Sequence, residues 1–262
     1  MNLVQLLIKT QAGPLAASLL LLLPTGSLSA IFGKPVSETT SIRLPEPDRN
    51  GSAPLETTLQ KRRSVRFFLN APLSLQYVSQ LLWAAQGITD QRGFRTAPSA
   101  GALYPLEIYV VTGDVTGLKK GIYLYKSAEH ALILTLEGDY LQMLSRAALR
   151  QDAVSLAPAV FVIAGIQIRT TGKYGERGVR YMHMESGHAA QNLSLQAVAL
   201  DLGSVTIGAF SDHEVAGIIK METFRVSGGQ RYGTGQAAVE TDGCGIVDHN
   251  NLTPNTVNRN RQ

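Results

Sequence analysis

Arg62-Arg63-Ser64-Val65-Arg66 places three guanidiniums and a hydroxyl within five residues. Such a set can fork around one phosphate dianion, although a solvated basic turn is the plainer account of the same stretch. Lys173-Tyr174 sets an amine beside a phenol. The pair suits general acid/base work, or equally a loop lysine beside a packing tyrosine. Pro98-Ser99-Ala100-Gly101 is a run of small residues through which backbone can approach a flat ligand, with Gly101 removing the Cβ barrier. Gln191 and Asn192 stand amid Ala189, Ala190 and Leu193, where an amide can bond a polar ligand edge or cap a neighbouring backbone group. His183, Glu185 and His188 form His-x-Glu-x-x-His. Those two histidines lie about 500° apart around a helix, so they do not share the face a zinc pair needs. The glycine-rich run from Gly228 to Gly235 lacks the Gly-Lys-Ser/Thr ending of a phosphate loop.

The elements that must position these groups are legible from the apolar spacing. A short helix over residues 55–63 breaks near Ser64. Ser74 caps a second helix whose Leu75, Val78, Leu81, Leu82 and Ala85 share one face, with Gly87 closing it. Strands are expected at 106–112, 122–125 and 132–136, the last two joined as a hairpin. A helix over about 138–149 leads to the most apolar strand, 159–166. A long helix follows from about 176 to 201, then a strand at 204–209. The order is that of an α+β protein with a sheet sandwiched by helices.

With 262 residues, the chain is long enough for one good-sized core. The formal charge of +4 comes without a dense Lys/Arg block, so no nucleic-acid partner is implied. The single Cys244 excludes an intrachain disulfide and a cysteine-built metal site. Residues 1–30 read as a signal peptide or membrane-targeting segment. Leu15 to Leu23 is apolar, Lys9 precedes it and Leu28-Ser29-Ala30 offers a cleavage site. Cleavage implies an exported or periplasmic protein; otherwise the chain is membrane-anchored through this segment or, with a misassigned start, cytoplasmic. Residues 31–54 read as a linker or extended arm, and 55–220 as the folded domain.

Three pieces in this order resemble the nitroreductase superfamily of FMN enzymes. They are Arg62 to Arg66, the run from Pro98 to Glu107, and Gly187-His188-Ala189-Ala190-Gln191-Asn192-Leu193. The branch resembled is that of SagB-type dehydrogenases, relatives of the oxidases that aromatise azolines in modified peptides. The resemblance implies a nitroreductase-like α+β fold with an antiparallel or mixed sheet, and a homodimer with flavin sites at the interface. It implies that Arg62, Arg63, Ser64 and Arg66 hold the FMN phosphate. Pro98, Ser99, Ala100, Gly101, Gln191, Ile207 and Gly208 would hold the ring. Lys173-Tyr174-x-x-Arg177-x-x-Arg180-Tyr181 looks like the Lys-Tyr motif of the azoline-oxidising relatives, so Lys173 and Tyr174 become the acid/base candidates. NAD(P)H is a possible donor, and the substrate is a small molecule or a peptide.

In the resembled family a final apolar strand ends the domain, and nothing like it follows Met221. Residues 221–262 are expected to be a divergent, disordered tail, from a frameshift or truncation near Lys220 or from divergence that retains function. Losing that strand would expose a sheet edge. The rival reading is therefore an inactive flavin-fold relic or accessory binding protein. A third, an exported metallohydrolase built on His183 and His188, has little in the spacing to support it.

Overall fold

A seven-stranded mixed sheet carries the apolar runs of the chain, in a computed structural model that describes residues 2–9, 11–12, 40–221 and 234–235. Its strands are β1 (Asn2–Lys9), β2 (Ser41–Arg43), β3 (Leu106–Thr112), β4 (Gly121–Lys126), β5 (Ala131–Glu137), β6 (Ala159–Gly165) and β7 (Gly203–Ile207). Across the sheet they run β7-β1-β6-β3-β4-β5-β2. Every residue of β6 is buried, as expected of a central strand covered on both faces. Alternation sorts its side chains: Phe161 and Ile163 join one apolar cluster, Val160, Val162 and Ala164 the other.

Helices α1 (Leu55–Lys61), α2 (Leu75–Gln86), α3 (Leu141–Ala147), α4 (Asp152–Ser155), α5 (Gln167–Tyr174), α6 (Arg177–Ala199) and α7 (Asp212–Ile218) complete the fold. Leu81 and Leu82 of α2 and Leu193 of α6 cover the first cluster. Leu144 of α3, Val154 of α4 and Val215 of α7 cover the second. The fold class is thus the one the spacing predicts. Ser74 accepts the Tyr77 amide at 3.2 Å as the N-cap of α2, and Val78, Leu81, Leu82 and Ala85 are fully buried. Gly87 closes α2 for a different reason from the one expected. Its φ is −67°, and what it supplies is room, since a Cβ there would strike the Trp83 ring.

Several elements differ from the sequence reading, the short α4 among them. The arm is docked: β2 pairs antiparallel with β5, and Leu44 is 3% exposed. Residues 212–218 form α7, which the unremarkable spacing there does not reveal. Residues 167–174 are helical rather than loop, ending at Gly175 with φ +59°. Most unexpected is β1, drawn from the stretch assigned to a leader. It lies parallel to both β6 and β7, pairing Val4 with Val160 and Val205. The apolar run 15–23 and nearly all of the tail lie outside the described residues; Thr234–Gly235 pairs with Gln11–Ala12. Among the described residues no helix is long and apolar enough to cross a membrane.

Candidate functional site

The small-residue loop enters β3 through a left-handed stretch. Gly101 has φ +64°, Ala102 +53° and Tyr104 +44°. Glycine adopts this conformation freely, whereas each of the other two stores on the order of 1 kcal/mol. The surroundings hold them there. Ser99 Oγ accepts the Tyr104 amide at 2.9 Å, and Arg95 stacks 4.4 Å from the Tyr104 ring centroid. Arg169 of α5 donates to the Tyr104 carbonyl at 3.4 Å and to Glu107 at 2.6 Å.

Lys173 and Tyr174 occupy the last turn of α5 and converge on this loop. A Cβ on Gly101 would lie 2.6 Å from Tyr174 Oη and 2.9 Å from Lys173 Nζ. Only a glycine leaves room for an amine and a phenol to meet the backbone together. Tyr181 of α6 packs edge-on against the Tyr174 ring, 5.1 Å between centroids. Gly178 lets α6 turn back tightly on α5, since a Cβ there would come within 2.6 Å of the Thr170 and Thr171 backbone. The α5–α6 corner therefore fixes where Lys173 and Tyr174 point.

The basic cluster lies elsewhere, on the outer edge of β7. Ser64 bridges Ser204 in parallel, and the Val65 amide donates to the Ser204 carbonyl at 2.9 Å. Arg62 is half-buried, while Arg63, Ser64 and Arg66 are exposed. Among the described residues the salt bridges involve none of the three arginines. Arg63 donates instead to the carbonyls of Gln60 and Arg62 at 2.9 and 2.7 Å. Gly208 stands four residues beyond Ser204, about 13 Å along a strand. It is exposed, with no atom within 4 Å of where a Cβ would be, and Ile207 beside it is buried at 4%. One edge thus offers cations at one end and open backbone at the other.

Gln191 is exposed on α6. Its neighbour Asn192 is taken up structurally, donating to the Thr96 carbonyl at 3.2 Å and so tying the loop to α6. The described chain therefore forms two groups, Pro98–Gly101 with Lys173 and Tyr174, and Arg62–Arg66 with Ile207 and Gly208.

Beneath the first group lies a polar layer that spacing did not expose. Glu185 is 2% exposed and Gln86 1%. Gln86 Nε2 donates to Glu185 Oε1 at 3.5 Å, and Arg95 Nη1 donates to Gln86 Oε1 at 3.0 Å. Burial pushes the Glu185 carboxyl above the usual range, against the opposing pull of Ser99, Gln86 and Arg95. Burial likewise lowers Arg95. Arg95 and Gln86 also line a polar cleft of about 220 Å³ with Glu107, Arg169 and Glu129. From sequence, Glu185 had been weighed only as a metal ligand. Its signal was helical phase, since Met182, Ser186 and Ala189 around it are all core.

Comparison with known proteins points one way. The model of the nitroreductase family matches residues 59–234. MJ1384 of Methanocaldococcus jannaschii, named as a nitroreductase, is 46% identical over 189 residues, 72% of this chain and 94% of its own. The trifolitoxin operon protein TfxC of Rhizobium leguminosarum bv. trifolii is 28% identical over 193 residues, 67% of this chain and 54% of its own. Among solved structures, one from Ralstonia eutropha, again named as a nitroreductase, superposes with a TM-score of 0.63 at 30% identity. That match covers 77% of this chain and 92% of the other.

Proposed function

The chain belongs to the nitroreductase family of oxidoreductases, and from that premise we propose that it is an FMN enzyme of SagB-type dehydrogenase character. The observation that carries the reading is the convergence of Lys173 and Tyr174 on Gly101. An inert scaffold has no need to bring an amine and a phenol together over a strained loop. The similarity to a trifolitoxin operon protein, beside the resemblance to azoline oxidases that act on modified peptides, favours a peptide substrate over a free nitroaromatic.

The residues present fit FMN. Arg62, Arg63 and Arg66 carry no ion pair among the described residues, and with Ser64 they supply the cations and hydroxyl a phosphate needs. Gly208 leaves open backbone at the far end of the same edge, where a ring can lie. FMN, when bound, supplies the two-electron acceptance that lets hydride leave one substrate and reach another.

The chain's own part is binding and proton handling. Lys173 Nζ takes the proton released as the substrate loses hydride, and Tyr174 Oη holds the substrate heteroatom in place. Arg62–Arg66 anchor the cofactor, and Pro98–Gly101 close over the flat face. The two groups are completed across a homodimer, which would also cover Phe67, Ile168 and Met184, exposed at 92%, 59% and 55%. NAD(P)H or the substrate itself is the donor.

Replacing Lys173 by Met or Tyr174 by Phe should lower turnover roughly 10²- to 10⁴-fold while FMN occupancy stays at wild-type level. Stopped-flow reduction with absorbance-based occupancy checks this. Unchanged turnover in both variants would remove the acid/base assignment.

A further inference from the structure

Arg169 stands one helical turn before Lys173 on α5, so the two side chains leave the same face. Its guanidinium reaches back to the junction of the loop with β3. Nη2 donates to Glu107 Oε1 at 2.6 Å, and Nη1 donates to the Tyr104 carbonyl at 3.4 Å. Glu107 is held in turn, its Oε2 accepting the Tyr109 hydroxyl at 3.3 Å. The ion pair is partly buried, with 30% of the Arg169 side chain and 24% of Glu107 exposed, so salt screens it less than a surface pair. Between the two acceptors lies Pro105, whose carbonyl takes the Ile166 amide at 2.8 Å. The start of α5 is thereby tied at three points to the stretch from Tyr104 to Glu107.

We propose that Arg169 is a positioning residue which, with Glu107, sets the register of α5 on the loop and so places Lys173 Nζ at Gly101. The inference rests on the acid/base reading of Lys173 above. α5 buries one residue, Thr170, so apolar packing leaves its slide along the loop weakly determined. A guanidinium addresses a carbonyl and a carboxylate at once through one rigid fork, which fixes both the slide and the rotation of the helix. An ammonium is a point charge and fixes less. The consequence appears one turn on, where Lys173 Nζ lies 2.9 Å from the place a Gly101 Cβ would take. At that range a shift of about 1 Å in a reacting group lowers the rate on the order of 10²-fold.

The test is a double-mutant cycle between Arg169→Met and Lys173→Met in the full-chain, FMN-loaded protein, read as oxidation of a short thiazoline peptide to its thiazole. Arg169→Met alone should lower kcat on the order of 10²-fold, with KM and FMN occupancy unchanged. In the Lys173→Met background it should cost nothing further, because its effect passes through that amine. Arg169→Lys keeps the charge beside Glu107 and should recover part of the loss. Additive losses in the cycle, or a loss confined to KM or to FMN occupancy, overturn the proposal. If Arg169→Met does not fold, Arg169→Lys takes its place in the same cycle. A second readout needs no turnover: the through-space NMR contact between isotope-methylated Lys173 and the Gly101 α-hydrogens. It should be present in the wild type and lost in the Arg169 variant; its absence from the first or persistence in the second overturns the proposal. Unchanged turnover in Lys173→Met removes the acid/base reading and this inference together. A silent Lys173→Met beside a fully active Arg169→Met removes this inference only. A wild type inert toward the thiazoline removes that substrate, and the NMR contact then decides.

Discussion

Gly101 is the residue on which the site turns, because it answers two demands at once. Its φ of +64° disfavours a side chain, and the space a Cβ needs is held by Tyr174 Oη and Lys173 Nζ. Gly101→Ala should cost about 1–2 kcal/mol of stability and displace both side chains, with turnover falling as far as in the Lys173 variant. A fully active Gly101→Ala would show that the two side chains need not meet the loop. Glu185 gives a second expectation. A carboxyl raised by burial contributes stability that is fully present below its unfolded value and lost as pH rises through the folded value. The wild type should therefore lose thermal stability relative to Glu185→Gln as pH climbs above about 4.5. Identical melting profiles would contradict it. The residue types at Arg62–Arg66, Pro98–Gly101 and Lys173-Tyr174 were readable from the sequence. Glu185 was visible only as a polar letter, because burial and partners come from α2 and the loop, far away in sequence.

Elements repeat the pattern. α2, α6 and the strands β3 to β7 were legible because their apolar residues recur at helical or alternating spacing over long stretches. α5 was not, since its polar sequence QIRTTGKY carries no apolar stripe and is held by packing against α6. The arm was read as extended, but its anchor was hidden. His130 Nε2 lies 2.7 Å from Ser79 Oγ and 3.2 Å from the Pro45 carbonyl, and Nδ1 lies 2.9 Å from Tyr125 Oη. Burial holds His130 below its ordinary value, favouring the neutral ring. The stability this contributes is present above the unfolded value and lost as pH falls through the folded one. Below about pH 6.5 the amides of the β2–β5 pairing should therefore lose protection relative to their intrinsic exchange rates. Protection factors at Ile42 and Leu134 that stay constant with pH would contradict this account of the anchor.

At the scale of the whole molecule, β1 separates the structure from the sequence reading most sharply. The leader reading rests on the apolar run 15–23, which lies outside the described residues, and β1 comes before that run. Parallel pairing with β6 and β7 depends on partners some 150 residues or more away, which local spacing does not register. Without β1, the buried β6 and the edge strand β7 would each lose a neighbour. A chain starting at Phe32 should thus melt lower and aggregate more than the full chain, as light scattering on heating would record. Equal melting would show that the sheet does not need β1.

The central claim is that this nitroreductase-family chain holds FMN through its arginine cluster. A visible absorption spectrum of the full-length protein after incubation with FMN and gel filtration tests it most directly, alongside an Arg62→Ala/Arg63→Ala double variant. The account predicts retained flavin bands in the wild type that bleach under anaerobic NADPH or a substrate donor, with most of the flavin lost from the double variant. A wild type that stays colourless, or a double variant that keeps full flavin occupancy, would contradict it.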